Sequence, residues 1–349
     1  MIELDGSFCE GGGQIVRTAL ALSCLTKRPF KVKDIRKGRD KPGLKAQHLK
    51  CIEILKELSD AFVQGDKLGS EDLLFYPRTI KVKDISQDIE TAGSITLLLQ
   101  SLLPFLIFQK KRIKLNLKGG TDVKWSMPYD YFANVLISQL RRFASIDCKL
   151  LRRGYFPKGS GEIELIIRPK EKRSINLTEQ GDLTIIKGIS SASKSLQERN
   201  VAERMSQTAE LMLKRLNTPI SISNEYSDSL SDGCGITLFA IYSKNDEINL
   251  NPVRLGSSFL GEKGKTSEQI SETASNHLIK GIDSLAPVDE FLADNLIPFM
   301  AVVGGEIKTT TITNHTRSNI YVVEKFLDVK FEINETTKVI KVEPTEFQF

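Results

Sequence analysis

The sequence has little of what would place the chain in a membrane, on a metal cluster or in an oxidising compartment. It contains five cysteines, Cys9, Cys24, Cys51, Cys148 and Cys234. Because their number is odd and no two form a CxxC pair, we expect neither a disulfide framework nor a cysteine zinc site. The most apolar stretch, residues 95–108, is interrupted by Gln100. It is also shorter than the ~20 residues that a transmembrane helix needs.

A signal peptide is not expected, and neither is a role that depends on a large net charge. The first residues lack the basic and apolar segments of a secretory signal, which predicts a cytoplasmic protein. Lys and Arg number 49 and Asp and Glu number 44, so the net charge is only +5. Bulk charge alone is therefore not expected to hold a nucleic acid, and a polyanion would have to meet a local cluster of cations.

What the sequence does contain is one pattern of helices and strands that occurs three times along its 349 residues. Each copy predicts a helix, a strand, a junction with proline or histidine, a second helix and a strand pair. The first helices of the copies are predicted over 14–25, after Ser94 and over 289–303. Residues 181–284, between the second and third copies, have a strand and helix pattern of their own.

These patterns predict an α+β fold in which helices pack on one face of mostly antiparallel sheets. Three repeated helix-on-sheet units form a large domain, and a smaller α/β domain is inserted into it. The predicted boundaries place repeats one and two in residues 1–180 and the inserted domain in residues 181–284. Repeat three, with a candidate catalytic histidine, occupies residues 285–349.

A run of glycines at 11–13 stands directly ahead of the first predicted helix. Glycines let the backbone approach a ligand closely, and the N–H groups at the start of a helix attract anions. Glu10 precedes the run, while Gln14 and Arg17 share one face of the helix behind it. The segment is interpreted as a candidate anion site, with a plain turn as the alternative.

A cluster of cations follows the first predicted strand. Four Lys and Arg residues stand within the six positions 36–41, and Lys45, Gln47, His48 and Lys50 follow on the next predicted helix. Arginine binds phosphate oxygens through two parallel hydrogen bonds, whereas lysine acts as a point charge. The mixed cluster, which includes Arg36 and Arg39, suits a polyphosphate or an RNA end. A solvated charged loop is the alternative.

A second basic pair, Arg152 and Arg153, precedes a segment rich in glycine and aromatic residues at 154–161. Aromatic rings beside cations can stack on bases, although a β-turn connection has a similar composition.

The chain has three histidines, and they differ in context. His277 lies on an amphipathic helix of the insert and is interpreted as incidental, while His48 lies in the basic cluster and is a candidate phosphate contact. His315 lies between a strand of β-branched residues and a helix. Rigid elements on both sides would hold its ring while a nitrogen stays accessible, which a covalent nucleophile requires.

Together these motifs resemble the RNA 3′-terminal phosphate cyclase family over essentially the whole chain. The segments that carry the resemblance are Leu4-Asp-Gly6, Glu10-Gly-Gly-Gly-Gln14-Ile-Val-Arg17, Arg36-Lys-Gly-Arg39, Lys41-Pro-Gly-Leu44, Gln47-His48-Leu49, Ala92-Gly93-Ser94 with Gln100, Gly119-Gly-Thr-Asp122, Gly154-Tyr-Phe-Pro157, Gly261-Glu-Lys-Gly264, Leu292-Ala-Asp294 and His315-Thr-Arg-Ser-Asn-Ile320. Each segment alone is weak, but their common order along one chain is specific.

The resemblance implies a reaction in which ATP drives the conversion of an RNA 3′-phosphate into a 2′,3′-cyclic phosphate. It implies that His315 attacks the α-phosphorus of ATP and carries AMP. The AMP then passes to the RNA 3′-phosphate, giving RNA(3′)pp(5′)A, and the neighbouring 2′-OH displaces AMP. A phosphate monoester is a poor electrophile until it carries such a leaving group, and the 2′-OH is already tethered beside it.

The resemblance also implies roles for individual residues. Glu10 matches a carboxylate that binds a divalent metal, Mg or Mn. The phosphates of ATP and RNA would contact Gln14, Arg17, Arg36, Arg39, Gln47 and His48. The nucleotide would contact Gln100, Met127, Pro128, Phe291, Asp294 and Asn295.

The sequence departs from the family pattern near the adenine. Phe291 and Met127 stand where relatives have tyrosine and proline, and Asn295 stands where they have glutamine. Phe291 keeps a ring face for stacking but lacks a hydroxyl, so the choice of ATP over GTP stays open.

Two other functions and the oligomeric state also stay open. A non-catalytic cyclase-like protein would bind ribosomal RNA precursors, but such relatives lack the nucleophilic histidine that His315 supplies here. An enolpyruvyl-transferase-like enzyme shares a repeated α/β plan and would require phosphoenolpyruvate. The expected partners are ATP and an RNA with a 3′-terminal phosphate, without a membrane, and a homodimer is not excluded.

Overall fold

Alternating apolar residues form short strands, and these strands assemble into small mixed sheets on which amphipathic helices pack. The computed structural model of the protein describes residues 1–9, 12–243 and 251–347. Within these ranges the strands form four sheets of four strands each. Each sheet contains one parallel pair and two antiparallel pairs.

The first unit combines a parallel strand–helix–strand crossover with a second helix and an antiparallel pair. Its elements are β1 (Ile2–Asp5), α1 (Gln14–Thr26), β2 (Phe30–Lys33), α2 (Ala46–Ser59), β3 (Phe62–Gln64) and β4 (Leu73–Tyr76). The strand order is β1-β2-β4-β3, with only β1 and β2 parallel.

The second unit repeats this plan with longer strands. Its elements are β5 (Ile85–Asp88), α3 (Ile95–Leu106), β6 (Ile113–Gly119), α4 (Tyr129–Tyr131), a π-helical segment (Phe132–Leu136), α5 (Ile137–Leu140), β7 (Ala144–Arg152) and β8 (Gly161–Pro169). The strand order is β5-β6-β8-β7, with only β5 and β6 parallel.

The third unit starts with β9 (Ile175–Leu177), after which the chain forms the insert. The elements of the insert are β10 (Asp182–Ser193), α6 (Val201–Leu213), β11 (Ile220–Ser227), β12 (Cys234–Ser243), β13 (Val253–Leu260) and α7 (Ser267–Asp283). Its strand order is β11-β10-β12-β13, and α6 and α7 pack against each other.

The chain then completes the third unit. The remaining elements are α8 (Glu290–Val303), β14 (Gly305–Lys308), α9 (Asn314–Phe326), β15 (Phe331–Asn334) and β16 (Val339–Val342). The strand order is β15-β16-β14-β9, in which β14 and β9 are parallel. β9 therefore belongs to the third unit although it precedes the insert.

The predicted α+β class is confirmed, and the differences from the predicted elements have local causes. The third unit begins with β9, ahead of the insert, and the sequence patterns miss this strand because three residues are too few to show a period. In the third copy, the apolar pattern predicts a strand over 306–312, but the observed strand ends at Lys308, since the N–H groups of Thr309 and Thr310 donate to Lys338 and Val288. The domain boundaries at residues 180 and 284 stay a prediction.

The helices of different units pack on one another in the centre of the molecule. α1 lies against α3 and α9, and α8 lies against α3 and α9. Side chains such as Leu20, Leu99 and Met300 are fully buried there. Burial of a large apolar side chain contributes ~1.5–3 kcal/mol, so the centre of the molecule is held mainly by these helices.

In the part of the chain that the structure describes, no helix combines the length and the apolar character that crossing a bilayer requires.

Candidate active site

The described parts of the three repeated units and of the insert meet at a cleft of about 920 Å³. Every predicted site residue that the structure describes lines this cleft. They are Gln14, Arg17, Arg36, Arg39, Gln47, His48, Gln100, Met127, Pro128, Phe291, Asp294, Asn295 and His315. Glu10, the predicted metal ligand, lies outside the described residues. The structure thus brings together residues that are up to 301 positions apart.

His315 lies in the first turn of α9 and is half-buried. The helix begins after Thr313, whose hydroxyl accepts the N–H of Thr316 at 3.0 Å. The side-chain amide of Gln14 donates to the main-chain oxygen of His315 at 3.5 Å. The first residue of α1 therefore contacts the first turn of α9, and the candidate nucleophile is held between the first and third units.

Asp294 connects α8 to the turn that carries His315. Its Oδ1 accepts the hydroxyls of Thr313 at 2.7 Å and Thr316 at 2.5 Å, one residue on each side of the Asn314–His315 pair. Asn319 donates to the main-chain oxygen of Asp294 at 2.5 Å. Burial raises the pKa of Asp294 to about 7, although both hydroxyls favour its charged form. The carboxyl group thus fixes the start of α9.

The two glycines ahead of α1 each lie beside a histidine ring, and Gly13 is required by the ring of His48. A Cβ at Gly13 would lie 2.0 Å from Nε2 of His48, so no larger residue fits there. A Cβ at Gly12 would lie 3.8 Å from Cε1 of His315. Both imidazoles therefore lie beside the N-terminus of α1, where unpaired main-chain N–H groups favour an anion.

His48 is a neutral hydrogen-bond donor in this environment. The main-chain N–H of Lys45 donates to its Nδ1 at 3.0 Å, which leaves the ring proton on Nε2, the atom that faces Gly13. Burial lowers its pKa to about 3, and the charges of Arg17 and Arg36 act in the same direction. At neutral pH His48 can donate to a phosphate oxygen but does not add a positive charge.

The cations that line the cleft are close enough to repel one another. Burial lowers the pKa of Arg17 and of Arg36, and each is lowered further by a neighbouring arginine. Burial and the charge of Arg36 also lower the pKa of Lys45. Among the described residues, none of these three forms an ion pair with a carboxylate. A polyanionic ligand would relieve this repulsion.

The loop that carries the cluster has a defined shape. Gly43 adopts φ +73°, and a Cβ there would lie 2.2 Å from the main-chain oxygen of Gly69. The N–H of Gly43 donates to Ile35 at 2.7 Å, and that of Leu44 donates to Ser70 at 2.9 Å. The sequence predicts that the second helix of the first copy begins at 42–44, but because of this loop it starts at Ala46.

The opposite end of the cleft is more apolar and is built on α8. Phe291 is half exposed, and the ring of Tyr131 meets its ring edge-on at a centroid distance of 6.4 Å. The tyrosine hydroxyl donates to Asp289, which also accepts the N–H of Phe291 at 3.1 Å. Asn295 donates to the main-chain oxygen of Phe291 at 2.7 Å. Its side chain therefore supports α8 as well as lining the cleft.

The insert takes part in this apolar end. Ser258 on β13 lines the cleft, and the N–H of Gly256 donates to Asp289 at 3.0 Å. His277, which the sequence indicated as incidental, bonds to Glu290 at 3.0 Å and lies 6.1 Å from the ring of Phe291. The hydrogen bond to Glu290 raises its pKa. The side chain of His277 thus connects α7 to α8.

The second basic segment does not form a nucleic-acid surface at Arg153. This side chain is buried, and it pairs with Asp122 at 3.4 Å, Asp130 at 2.9 Å and Glu225 at 2.8 Å. Arg152 pairs with Glu162 at 3.0 Å. The segment connects β7 to β8, as the alternative interpretation expected, and Arg153 also ties the second unit to the insert.

Some residues of the cleft were missed by the sequence patterns. Thr18 donates to Asn319 at 2.7 Å, which joins α1 to α9 below the histidine. Trp125 lines the rim of the cleft. A hydroxyl inside an apolar helix gives no signal in one sequence, but a single tryptophan beside the Gly119–Asp122 motif could have been noticed.

No group of three or more His, Cys, Asp or Glu side chains in the described ranges is arranged to hold a metal ion. The predicted metal site depends on Glu10, which lies outside those ranges, and it stays a prediction.

Comparison with known proteins finds relatives over nearly the whole chain. A family model described as RNA 3′-terminal phosphate cyclase matches residues 8–333. A protein of that name from Pyrococcus abyssi is 42% identical over 336 residues, which cover 96% of this chain and 95% of the relative. Another, from Methanococcoides burtonii, is 40% identical over 344 residues, with 98% of this chain and 99% of the relative covered. The chain therefore belongs to the RNA 3′-terminal phosphate cyclase family.

Proposed function

We propose that the chain uses ATP to convert an RNA 3′-terminal phosphate into a 2′,3′-cyclic phosphodiester through a covalent histidine–AMP intermediate. As a member of this family it is a ligase-type enzyme of RNA processing, and the family uses ATP as a substrate. The observation that carries the finer proposal is the position of His315. It shares one cleft with a cluster of cations and with the glycine-led N-terminus of α1.

In the first step, a ring nitrogen of His315 attacks the α-phosphorus of ATP. A P–N bond forms, the bond from the α-phosphorus to the bridging oxygen breaks, diphosphate leaves, and the ring loses its proton to solvent. Arg17, Arg36 and Arg39 would bind the phosphate oxygens on which charge accumulates. Asp294 would act as a positioning residue, because it holds the turn on which His315 lies.

The second and third steps involve the RNA end. An oxygen of the RNA 3′-phosphate attacks the adenylate phosphorus, the P–N bond breaks, and His315 takes up a proton as RNA(3′)pp(5′)A forms. The 2′-OH then attacks the 3′-phosphorus, loses its proton and displaces AMP. Since this hydroxyl and the phosphorus are on the same ribose, the last step needs little orientation by the protein.

The remaining predicted residues divide between phosphate and base. Gln14, Gln47 and His48 would contact phosphate oxygens, with His48 donating through Nε2. The base would lie at the apolar end, where Gln100, Met127, Pro128, Phe291 and Asn295 line the cleft. Phe291 offers a ring face for stacking, which supports binding of a purine without choosing between ATP and GTP.

The proposal includes two further points, of which only the metal rests on the resemblance. A divalent metal, Mg²⁺ or Mn²⁺, would be bound with the help of Glu10, and no step above passes through it. The protein would act in the cytoplasm.

Labelling with ATP tests the proposal directly. Incubation with α-³²P-ATP and magnesium should label the wild-type chain, and the label should survive alkali but not acid, as a phosphoramidate does. His315→Ala should abolish the label. His48→Ala, which removes the other imidazole beside α1, should leave it detectable. Label on His315→Ala at the wild-type rate would show that another residue is the nucleophile, and an unlabelled wild-type chain that still binds RNA would favour the non-catalytic alternative.

A further inference from the structure

We propose that the indole of Trp125 is a stacking platform for a base near the 3′ end of the RNA substrate. This inference rests on the proposed function and adds a residue that contacts RNA without reading its sequence. Trp125 is the only tryptophan in the chain, it is 96% exposed, and it lines the rim of the cleft that holds His315. Among the described residues its ring stacks on no other ring.

The loop that carries Trp125 is well anchored, so the exposure of the indole follows from the fold. The N–H groups of Thr121 and Asp122 donate to the main-chain oxygen of Gly154 at 2.9 and 3.3 Å. On the other side of the tryptophan, the hydroxyl of Thr96 donates to the main-chain oxygen of Met127 at 2.6 Å. The hydroxyl of Ser126 donates to Val123 at 2.8 Å.

The backbone conformation of Trp125 also supports the proposal. Its φ is +66°, in the left-handed region that large side chains rarely adopt. Such a conformation is strained and persists where the surrounding structure imposes it, often at ligand sites. The fold therefore maintains a strained backbone that presents a large apolar ring to solvent.

The position of the ring favours RNA over the base of ATP as its partner. The more enclosed apolar end of the cleft, around Phe291 and Pro128, is the site proposed for the nucleotide. The RNA phosphate has to reach the same phosphorus that His315 carries, so the last nucleosides of the RNA must cross the rim. Any base can stack on an indole, because every base has a π-face.

The charges beside Trp125 fit a strand that passes across the rim. Lys124 pairs with Glu262 of the insert at 2.6 Å, and Lys265 pairs with the same carboxylate at 2.9 Å. Two lysines on one carboxylate leave a net positive charge next to the ring. A sugar-phosphate backbone has the opposite charge, while a neutral apolar partner would gain nothing from it.

Fluorescence of the single tryptophan tests the contact in the intact wild-type protein. In the absence of ATP no reaction occurs, and titration with a short RNA that ends in a 3′-phosphate should quench the emission and protect it from acrylamide. ATP alone should leave the emission almost unchanged. If RNA binds, as measured by filter retention, without changing the emission, the proposal is wrong. Because this titration needs no catalysis, its result is independent of whether the chain forms histidine–AMP.

Substitution tests the contribution of the ring. Loss of one base–aromatic stack should raise the KM for RNA roughly 5- to 100-fold in Trp125→Ala, and Trp125→Phe should restore part of it. Self-adenylylation, which involves no RNA, should change far less. An equal loss of self-adenylylation would mean that the ring serves ATP or the loop itself, and an unchanged KM would exclude the stack.

Leu285→Ala is the matched control. Leu285 is also large and apolar, is 67% exposed and has φ +55°, but it does not line the cleft. Its substitution should leave the KM for RNA unchanged. A similar rise in KM for this variant would show that the effect of Trp125→Ala is not specific to the rim.

Discussion

His48 is an imidazole that the folded protein keeps neutral among cations. Its pKa is lowered to about 3 because the ring is buried, and the charges of Arg17, Arg36 and Lys45 disfavour the protonated form further. The hydrogen bond from the N–H of Lys45 fixes its tautomer. Protonation of Nδ1 would displace this bond, so a neutral donor is the form that the packing allows.

The rings of His48 and His277 are expected to titrate differently. The Cε1–H resonance of His48 should not titrate between pH 5 and 8, whereas that of His277 should titrate with a raised pKa. Below pH ~6.5 the unfolded chain binds a proton that the folded ring does not bind until about pH 3. His48 therefore lowers the free energy of unfolding progressively as the pH falls through this window and has no such effect above it.

Histidine NMR and acid unfolding check this prediction together. His48→Asn keeps an acceptor for the N–H of Lys45 and removes the titrating group, so its acid-unfolding midpoint should lie at lower pH than that of the wild type. A His48 resonance that titrates near pH 6.5 would contradict the burial and charge argument.

At the scale of elements, the start of α9 decides where the candidate nucleophile lies. Thr313 caps this helix by accepting the N–H of Thr316 at 3.0 Å, and its hydroxyl also donates to Asp294 at 2.7 Å. Loss of such a cap costs about 0.5–2 kcal/mol. Because the cap also sets the first turn of α9, its loss should displace His315 as well.

We therefore expect Thr313→Ala to lose stability and to slow self-adenylylation by roughly tenfold or more, since a small misplacement of a reacting group is costly. Thr266→Ala is the matched control, because Thr266 caps α7 in the same way by accepting the N–H of Gln269 at 3.2 Å. It should lose a similar amount of stability without slowing the adenylylation. Thermal unfolding and the rate of ³²P incorporation measure both effects, and an equal slowing in the two variants would refute a special role for the α9 cap.

The sequence predicted the helices of these elements better than their short strands. α1, α8 and α9 have a clear period, and the sequence predicts them over 14–25, 289–303 and about 316–327. These bounds lie within about two residues of the observed ones. β9 was missed because its pairing with β14 spans the whole insert, and a partner so distant leaves no local pattern.

The site could be predicted only in part for a related reason. Gln14, directly after the glycine run, and His48, in the basic cluster, lie in motifs that a single sequence displays. The bonds from Thr313 and Thr316 to Asp294 depend on the packing of α9 on α8, which the sequence does not encode locally. The requirement for glycine at position 13 is visible only in the structure, where the ring of His48 occupies the space that a side chain would need.

At the scale of the whole molecule, the cleft lies where the described units meet, and no unit supplies all of its residues. The cation cluster and α1 come from the first unit, the loop at Met127 from the second, and His315 from the third. The insert contributes Ser258 to the lining, and the ring of its His277 lies 6.1 Å from the ring of Phe291. Binding of one ligand across these units should therefore stabilise the molecule as a whole.

Substitution of Arg36 tests this coupling between ligand binding and stability. Arg36 is half-buried, its pKa is lowered by burial and by Arg39, and it has no carboxylate partner among the described residues. In the absence of ligand, Arg36→Met should therefore leave the melting temperature unchanged or higher. Loss of one charge-assisted phosphate contact costs ~1.5–3 kcal/mol, so the rise in melting temperature at a fixed ATP concentration should be smaller than in the wild type.

Lys37→Met provides the matched comparison, because Lys37 is the next residue, pairs with Asp34 at 3.0 Å and does not line the cleft. It should keep the full ATP-induced rise, while its own melting temperature changes little, since an exposed pair contributes at most ~1 kcal/mol. Differential scanning fluorimetry with ATP and with inorganic diphosphate measures both quantities. If Arg36→Met lowers the ligand-free melting temperature by as much as it lowers the ATP-induced rise, the arginine is a structural element of the loop and not a phosphate contact.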